Sequence, residues 1–175
     1  MRKPVLFVMS AAAMALTICA AVLSPIDTGT ATAAPSDTTG AGTRTPFGGA
    51  RRACDFSKLG STSWGSPGTG YGEAFVHTSG NTVIAEVQFT NSRFPGVHYD
   101  ISMIQVPRAS APGCGPGTPG TTYAGMVMDG AGNATLTLQD QIRPGMTGVW
   151  LQIQRPSPRS QLPVEWYSTM QIVPI

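Results

Sequence analysis

Charged side chains are scarce in this sequence: Asp, Glu, Lys and Arg make up only 11% of its 175 residues. No stretch gathers several Lys or Arg beside aromatics, and Arg51-Arg52 is only a pair. A protein that holds nucleic acid needs a basic footprint to displace counterions, so no nucleic-acid partner is expected. Histidine is limited to His77 and His98, and Gly-x-Ser-x-Gly does not occur. Any hydrolase triad would therefore have to use one of those two imidazoles. No His follows Cys114, which removes the Cys-His-Met cluster of a cupredoxin-type copper site. "GSPGTGYG" (65–72) lacks the Gly-Lys-Ser/Thr ending of a phosphate loop, and no helical pattern follows it. Neither metal nor cofactor is expected.

What is present first concerns destination. Arg2 and Lys3 precede an uncharged apolar run from Val5 to Leu23, and Ala31-Thr32-Ala33 offers a small-x-small cleavage site. This is the layout of a secretory signal peptide over residues 1–34. The run is also close to the length of a bilayer-spanning helix, so an uncleaved anchor is the alternative and the one route to a membrane. Cys19 follows Leu16 and Thr17 as in a lipobox, but Ile18 stands where a small residue is needed and the apolar run continues past it. Cleavage would remove Arg2, Lys3 and Asp27 and lower the formal charge from +2 to +1. It would also leave two cysteines, Cys54 and Cys114, which in an oxidising compartment pair as a disulfide closing a loop of 60 residues. The expected location is extracellular or the cell envelope.

Residues 35–52 are rich in Thr, Ala, Gly and Pro with no hydrophobic period, and read as a flexible tether. From residue 53 the pattern changes to short alternating runs. "TVIAEVQFT" (82–90) sets Val83, Ala85, Val87 and Phe89 on one face, and "VHYDISMIQV" (97–106) does the same with Val97, Tyr99, Ile101 and Met103. "NATLTLQD" (133–140) and "GVWLQIQ" (148–154) repeat the alternation. "VEWYSTMQIV" (164–173) reads as a last strand with Val164, Trp166, Met170 and Ile172 inward. "YGEAFVHT" (71–78) and "TTYAGMVMD" (121–129) are strands of open facing. Gly, Pro and Asn supply the turns between them. Prolines interrupt every helical reading. About seven strands over residues 53–175 describe a single antiparallel β-sandwich.

One stretch admits three readings. "DGAGNAT" (129–135) has the oxygen-rich look of a calcium loop, contains the Asn-x-Thr glycan acceptor pattern, and fits a turn between two strands. Counted from Asp129, the calcium-loop positions for oxygen, glycine and the terminal Glu fall on Ala131, Ala134 and Asp140, so the spacing fails. The strand-like flanks favour the turn, as a hairpin.

The run from Asp129 through "IRPGMTGVW" (142–150) resembles the hairpin and strand-entry pattern of immunoglobulin-like and fibronectin-III-like domains of exported bacterial proteins. Ile142 and Pro144 match the corner pattern of the latter, while Gly148 stands where that pattern has Tyr. The signal and tether resemble those of actinobacterial, mycobacterial-like exported proteins. The resemblance implies a sandwich fold and no particular activity.

Candidate site residues are few. His98 and Asp100 are two apart on one strand, so both point to the face opposite Tyr99. Alternation places Trp150 outward, between the inward Val149 and Leu151; an exposed Trp marks a binding surface, and the alternative is that a loop or the tether covers it. Paired carboxylates for glycoside hydrolysis would draw on Glu86 and Asp100, with few aromatics to form a sugar platform. The five methionines after the signal read as core fillers rather than copper ligands. No catalytic constellation is defined. The expectation is a non-catalytic envelope or secreted binding module for a protein or an envelope glycan, using His98, Asp100 and Trp150. The alternatives are a wall-directed hydrolase of unfamiliar type and a purely structural surface antigen.

Overall fold

A computed structural model of the chain describes residues 41–60, 66–111 and 113–175. The expected signal peptide, Cys19 and the first part of the tether lie outside the described residues. Among those described there is no helix, and none therefore long and apolar enough to cross a membrane.

The strands are β1 (Thr43–Gly48), β2 (Ser66–Pro67), β3 (Tyr71–Ser79), β4 (Thr82–Thr90), β5 (His98–Val106), β6 (Thr121–Val127), β7 (Asn133–Gln141), β8 (Gly148–Arg155), β9 (Glu165–Thr169) and β10 (Val173–Pro174). They hydrogen-bond in the order β6-β5-β8-β9-β1-β3-β4-β7, with β10 beside β8 and β2 beside β9. Every pairing is antiparallel except the two-residue β2–β9 contact. The result is an all-β, antiparallel, nearly closed barrel-like sandwich.

The alternating runs pack as their periods require. Val83, Ala85, Val87 and Phe89 from β4 meet Tyr99, Ile101 and Met103 from β5 and Val149, Leu151 and Ile153 from β8, all at most 1% exposed. Met126 and Met128 fill the same core from β6 and its exit. Ala74 and Val76 settle the facing of β3.

Three expectations are corrected. The stretch read as tether already contributes β1, and this strand joins the two halves of the fold. Thr43–Pro46 pair with β3, and Phe47–Gly48 pair with β9. Pro46 has no N–H to give, and it stands at the last rung with β3 while its carbonyl accepts from Met170 N (3.1 Å). Only Thr45 and Phe47 of this strand are buried, too few apolar positions for a period to show. Second, the run 164–173 is two short strands, and β9 faces the other way: Glu165, Tyr167 and Thr169 share its inner side. Trp166 and Ser168 turn outward beneath residues 49–50, donating to Gly49 O (3.2 Å) and Ala50 O (2.8 Å).

Third, "DGAGNAT" is a turn but not a hairpin. β6 pairs only with β5 and β7 only with β4, so the turn carries the chain across the sandwich rather than back along one sheet. Asp129 Oδ1 accepts from Asn133 N and Ala131 N (both 2.8 Å), and these two N–H groups hold its carboxyl below the usual range. Gly132, at φ +79°, packs its bare Cα against the backbone of Asn91 and Ser92, where a Cβ has no room.

Candidate functional site

Trp150 points away from the main core, as alternation requires, yet it is fully buried. The Cys54–Cys114 disulfide, as expected from the pair, lies over that side with Phe56, Ile104 and Val106 and makes a second small core. Phe56 tilts against the indole at 5.6 Å, and Trp150 Nε1 donates to Cys54 O (3.4 Å). Phe56 holds a left-handed φ of 72°, which costs a non-glycine residue about 1–3 kcal/mol. Arg52 offsets this by stacking on its ring (3.6 Å) and donating to its carbonyl (2.9 Å). Trp150 thus presents no open ring face to a ligand.

His98 and Asp100 do lie together on the outer face of β5. His98 Nε2 and Asp100 Oδ1 are 2.8 Å apart. The imidazole rests over Gly125 of β6, and Tyr123 stands two residues further along that strand. Partial burial, then the neighbouring Asp100 carboxylate, push the Tyr123 phenol up to about 12. β8 adds Gln154 opposite Asp100 and Gln152 opposite Ser102. The His98 side chain is 49% exposed and that of Asp100 25%. This is a polar strip with one aromatic ring on an open sheet face, not a cleft. Glu86 is on β4, in the other half of the sandwich, and does not face Asp100.

The strongest electrostatic constellation was not foreseen. Glu165, 2% exposed, points into one end of the sandwich. Its Oε2 accepts from Tyr99 Oη and from Arg155 Nε, both at 2.9 Å. Its Oε1 accepts from Asn91 Nδ2 (2.9 Å) and from the Tyr167 hydroxyl in a short bond. Arg155 is the residue directly opposite Glu165 on β8, and its guanidinium stacks on Phe94 at 4.3 Å. Tyr167 Oη in turn accepts from Gly70 N (2.8 Å). Burial, then the hydrogen bonds to Glu165, drive both the Tyr99 and the Tyr167 phenols well above their ordinary range. A carboxylate offers about four lone-pair sites, and four donors occupy them here. Glu165 has none left for a substrate proton.

Gly68 and Gly70 close this end. A Cβ on Gly68 would fall within the Tyr167 hydroxyl and the Glu165 carboxylate. Gly68→Ala is therefore expected to cost about 2 kcal/mol or more through overpacking, read as a drop in the urea midpoint at unchanged m-value. A neutral outcome would mean that the loop does not seat there.

The tyrosines set an alkaline limit. An unfolded phenol ionises near pH 10, whereas these two stay protonated to higher pH when folded. Their contribution is whole below about pH 10 and falls as pH rises above it, by about 1.4 kcal/mol per group per pH unit. Stability at about pH 11 should be roughly 3 kcal/mol below that at pH 9. The share of phenolate absorbance that belongs to Tyr99 and Tyr167 should appear in step with loss of the fold. An unchanged urea midpoint over this range would contradict the burial described.

Among the described residues no three His, Cys, Asp or Glu side chains gather as a metal site. In comparisons with known proteins, no family model, no curated protein and no solved structure matches this chain.

Proposed function

We propose that the chain is an exported, non-catalytic binding protein that takes an envelope glycan on the outer face of β5, β6 and β8. The observation that carries this reading is the division of labour among the polar groups. The buried carboxylate is saturated by four donors, while the histidine–aspartate pair stands on an open, solvated face. General acid–base work needs a group with free capacity held against a bound substrate. A binding face needs only presented donors, acceptors and a ring. His98, Asp100, Gln152 and Gln154 supply both hydrogen-bonding senses, and Tyr123, 41% exposed, supplies a flat apolar surface. Export is supported by the N-terminal layout and by the disulfide.

Retention on insoluble cell-wall glycan tests this. Tyr123→Ala and the double variant His98→Ala/Asp100→Ala should each lose retention at least tenfold with unchanged melting temperature. Cleavage of the glycan that disappears in the double variant would replace the proposal with a hydrolase. Retention unaffected by all three changes would remove this face from consideration.

A further inference from the structure

The outer face of β6 does not end at Tyr123. Thr121, Tyr123, Gly125 and Val127 alternate onto it, opposite Ile104, Ser102, Asp100 and His98 of β5. At Thr121 the strip meets two arginines. Arg108 Nη1 donates to Thr121 Oγ1 (2.7 Å), while Arg108 Nη2 and Arg143 Nη1 donate to one shared carbonyl, Pro119 O, both at 3.2 Å. The turn before β6 leaves room for this meeting. Gly120 holds φ +72°, and a Cβ there would displace the Arg143 guanidinium. Two like charges thus converge, and among the described residues neither arginine has a salt-bridge partner. Asp140 accepts from Gln105 Nε2 (2.8 Å) and Gln141 N (2.9 Å) instead. Partial burial, then the charge of Arg143, pull the Arg108 guanidinium below its ordinary range.

We infer that Arg108 and Arg143 form an anionic subsite of the glycan face, receiving a phosphate or carboxylate group that the glycan carries. The inference rests on the reading of that face given above and names the class of glycan it takes, an acidic one. Each guanidinium presents five N–H groups in a planar fork. Arg108 spends one from each terminal nitrogen and Arg143 spends one; the rest meet no acceptor among the described residues. An anion held between the two takes charge-assisted bonds from both and cancels their mutual repulsion. The spacing suits one continuous ligand. Thr121 and Tyr123 are two residues apart on one strand face, about 7 Å, so a sugar stacked on the Tyr123 ring sets a neighbouring acidic group against the pair. Asp100, the carboxylate on this strip, lies opposite Gly125, about 13 Å from Thr121, and already meets His98 at 2.8 Å. The strip therefore runs from a carboxylate at one end to two cations without a counter-ion at the other, and an acidic glycan gains only at the arginine end.

Retention of the full exported chain on three forms of one insoluble cell-wall glycan is the test: untreated, stripped of phosphate with hydrofluoric acid, and with its carboxylates amidated. The wild type should lose roughly tenfold in retention on at least one treated form, and the form that loses it identifies the anion. Arg108→Gln/Arg143→Gln should fall to that same level on the untreated glycan and no longer distinguish the forms, with an unchanged melting temperature. Arg143→Gln alone keeps the Arg108 bonds to Thr121 and Pro119 and should lose part of the preference, so the result does not depend on the double variant folding. Tyr123→Ala should lose retention on every form. Equal retention of the wild type on all three forms, or a double variant that still prefers the untreated one, overturns the inference and leaves the glycan face standing. Retention of the wild type on no form removes both.

Discussion

Replacing Glu165 with alanine is expected to lower the stability of the domain by about 3–5 kcal/mol, the usual cost of removing one partner from a buried ion pair. The reason is what the substitution leaves behind. The Tyr99 and Tyr167 hydroxyls and the Asn91 amide converge on this carboxylate from β5, β9 and the end of β4. Without it their donors stay buried and short of acceptors, each at about 1–3 kcal/mol. Asn91 can still reach Tyr99 Oη (3.1 Å) and Tyr167 Oη (3.3 Å), which limits the loss, and Arg155, partly exposed, can turn to water. Glu165→Gln should be intermediate, since one acceptor oxygen remains while the new amide faces donors. Urea unfolding of both variants measures this. A neutral Glu165→Ala would mean that the network does not hold the end of the sandwich closed.

Loss of the Cys54–Cys114 disulfide should have an effect of similar size. The bond spans 60 residues. Loop-closure entropy alone puts its contribution at about 4 kcal/mol. A second consequence is local. The disulfide and Phe56 are the lid over Trp150 and Ile104, so its loss uncovers an indole that is otherwise fully buried. Cys54→Ser/Cys114→Ser, or reduction of the wild type, should lower the melting temperature by roughly 15 °C. Tryptophan fluorescence should shift to the red before global unfolding. A shift in melting temperature with no early fluorescence change would separate the entropic contribution from the covering of Trp150.

The sequence made the sheet legible where one face is apolar and the other polar. β4, β5, β7 and β8 all have that contrast, and their inner residues are those alternation names. It failed where both faces are buried or where the inner face is polar. β9 is buried on both sides, so its most apolar residue, Trp166, attracted the inward assignment. The inner residues Glu165 and Tyr167 look like a solvent face until their donors are found on other strands. Trp150 is the converse case. Its outward direction followed from alternation, but the cover over it comes from a segment about a hundred residues earlier in the chain. No local period encodes that contact; only the cysteine pair hinted at it. β1 was hidden by its composition, since Thr45 and Phe47 are its only inner positions. For "DGAGNAT", turn chemistry specified the reversal but not its destination: the same Asp, Gly and Asn serve a hairpin or a passage between sheets. What decides is pairing partners far away in sequence, β5 for β6 and β4 for β7. The His98–Asp100 pair was legible because it rests on a two-residue spacing within one strand. The Glu165 cluster draws on three strands and the turn after β4, and was not.

The proposed function requires the open face of β5, β6 and β8 to hold its ligand without turning it over. The most direct measurement is a titration of the isotope-labelled exported chain with soluble cell-wall glycan fragments, following amide shifts and the mass of the fragments together. Shifts are expected to cluster on His98, Asp100, Tyr123, Gln152 and Gln154, with the fragments recovered at their original mass. Shifts centred on Arg155 and Glu165, or fragments shortened by the wild type and left intact by His98→Ala/Asp100→Ala, would contradict it.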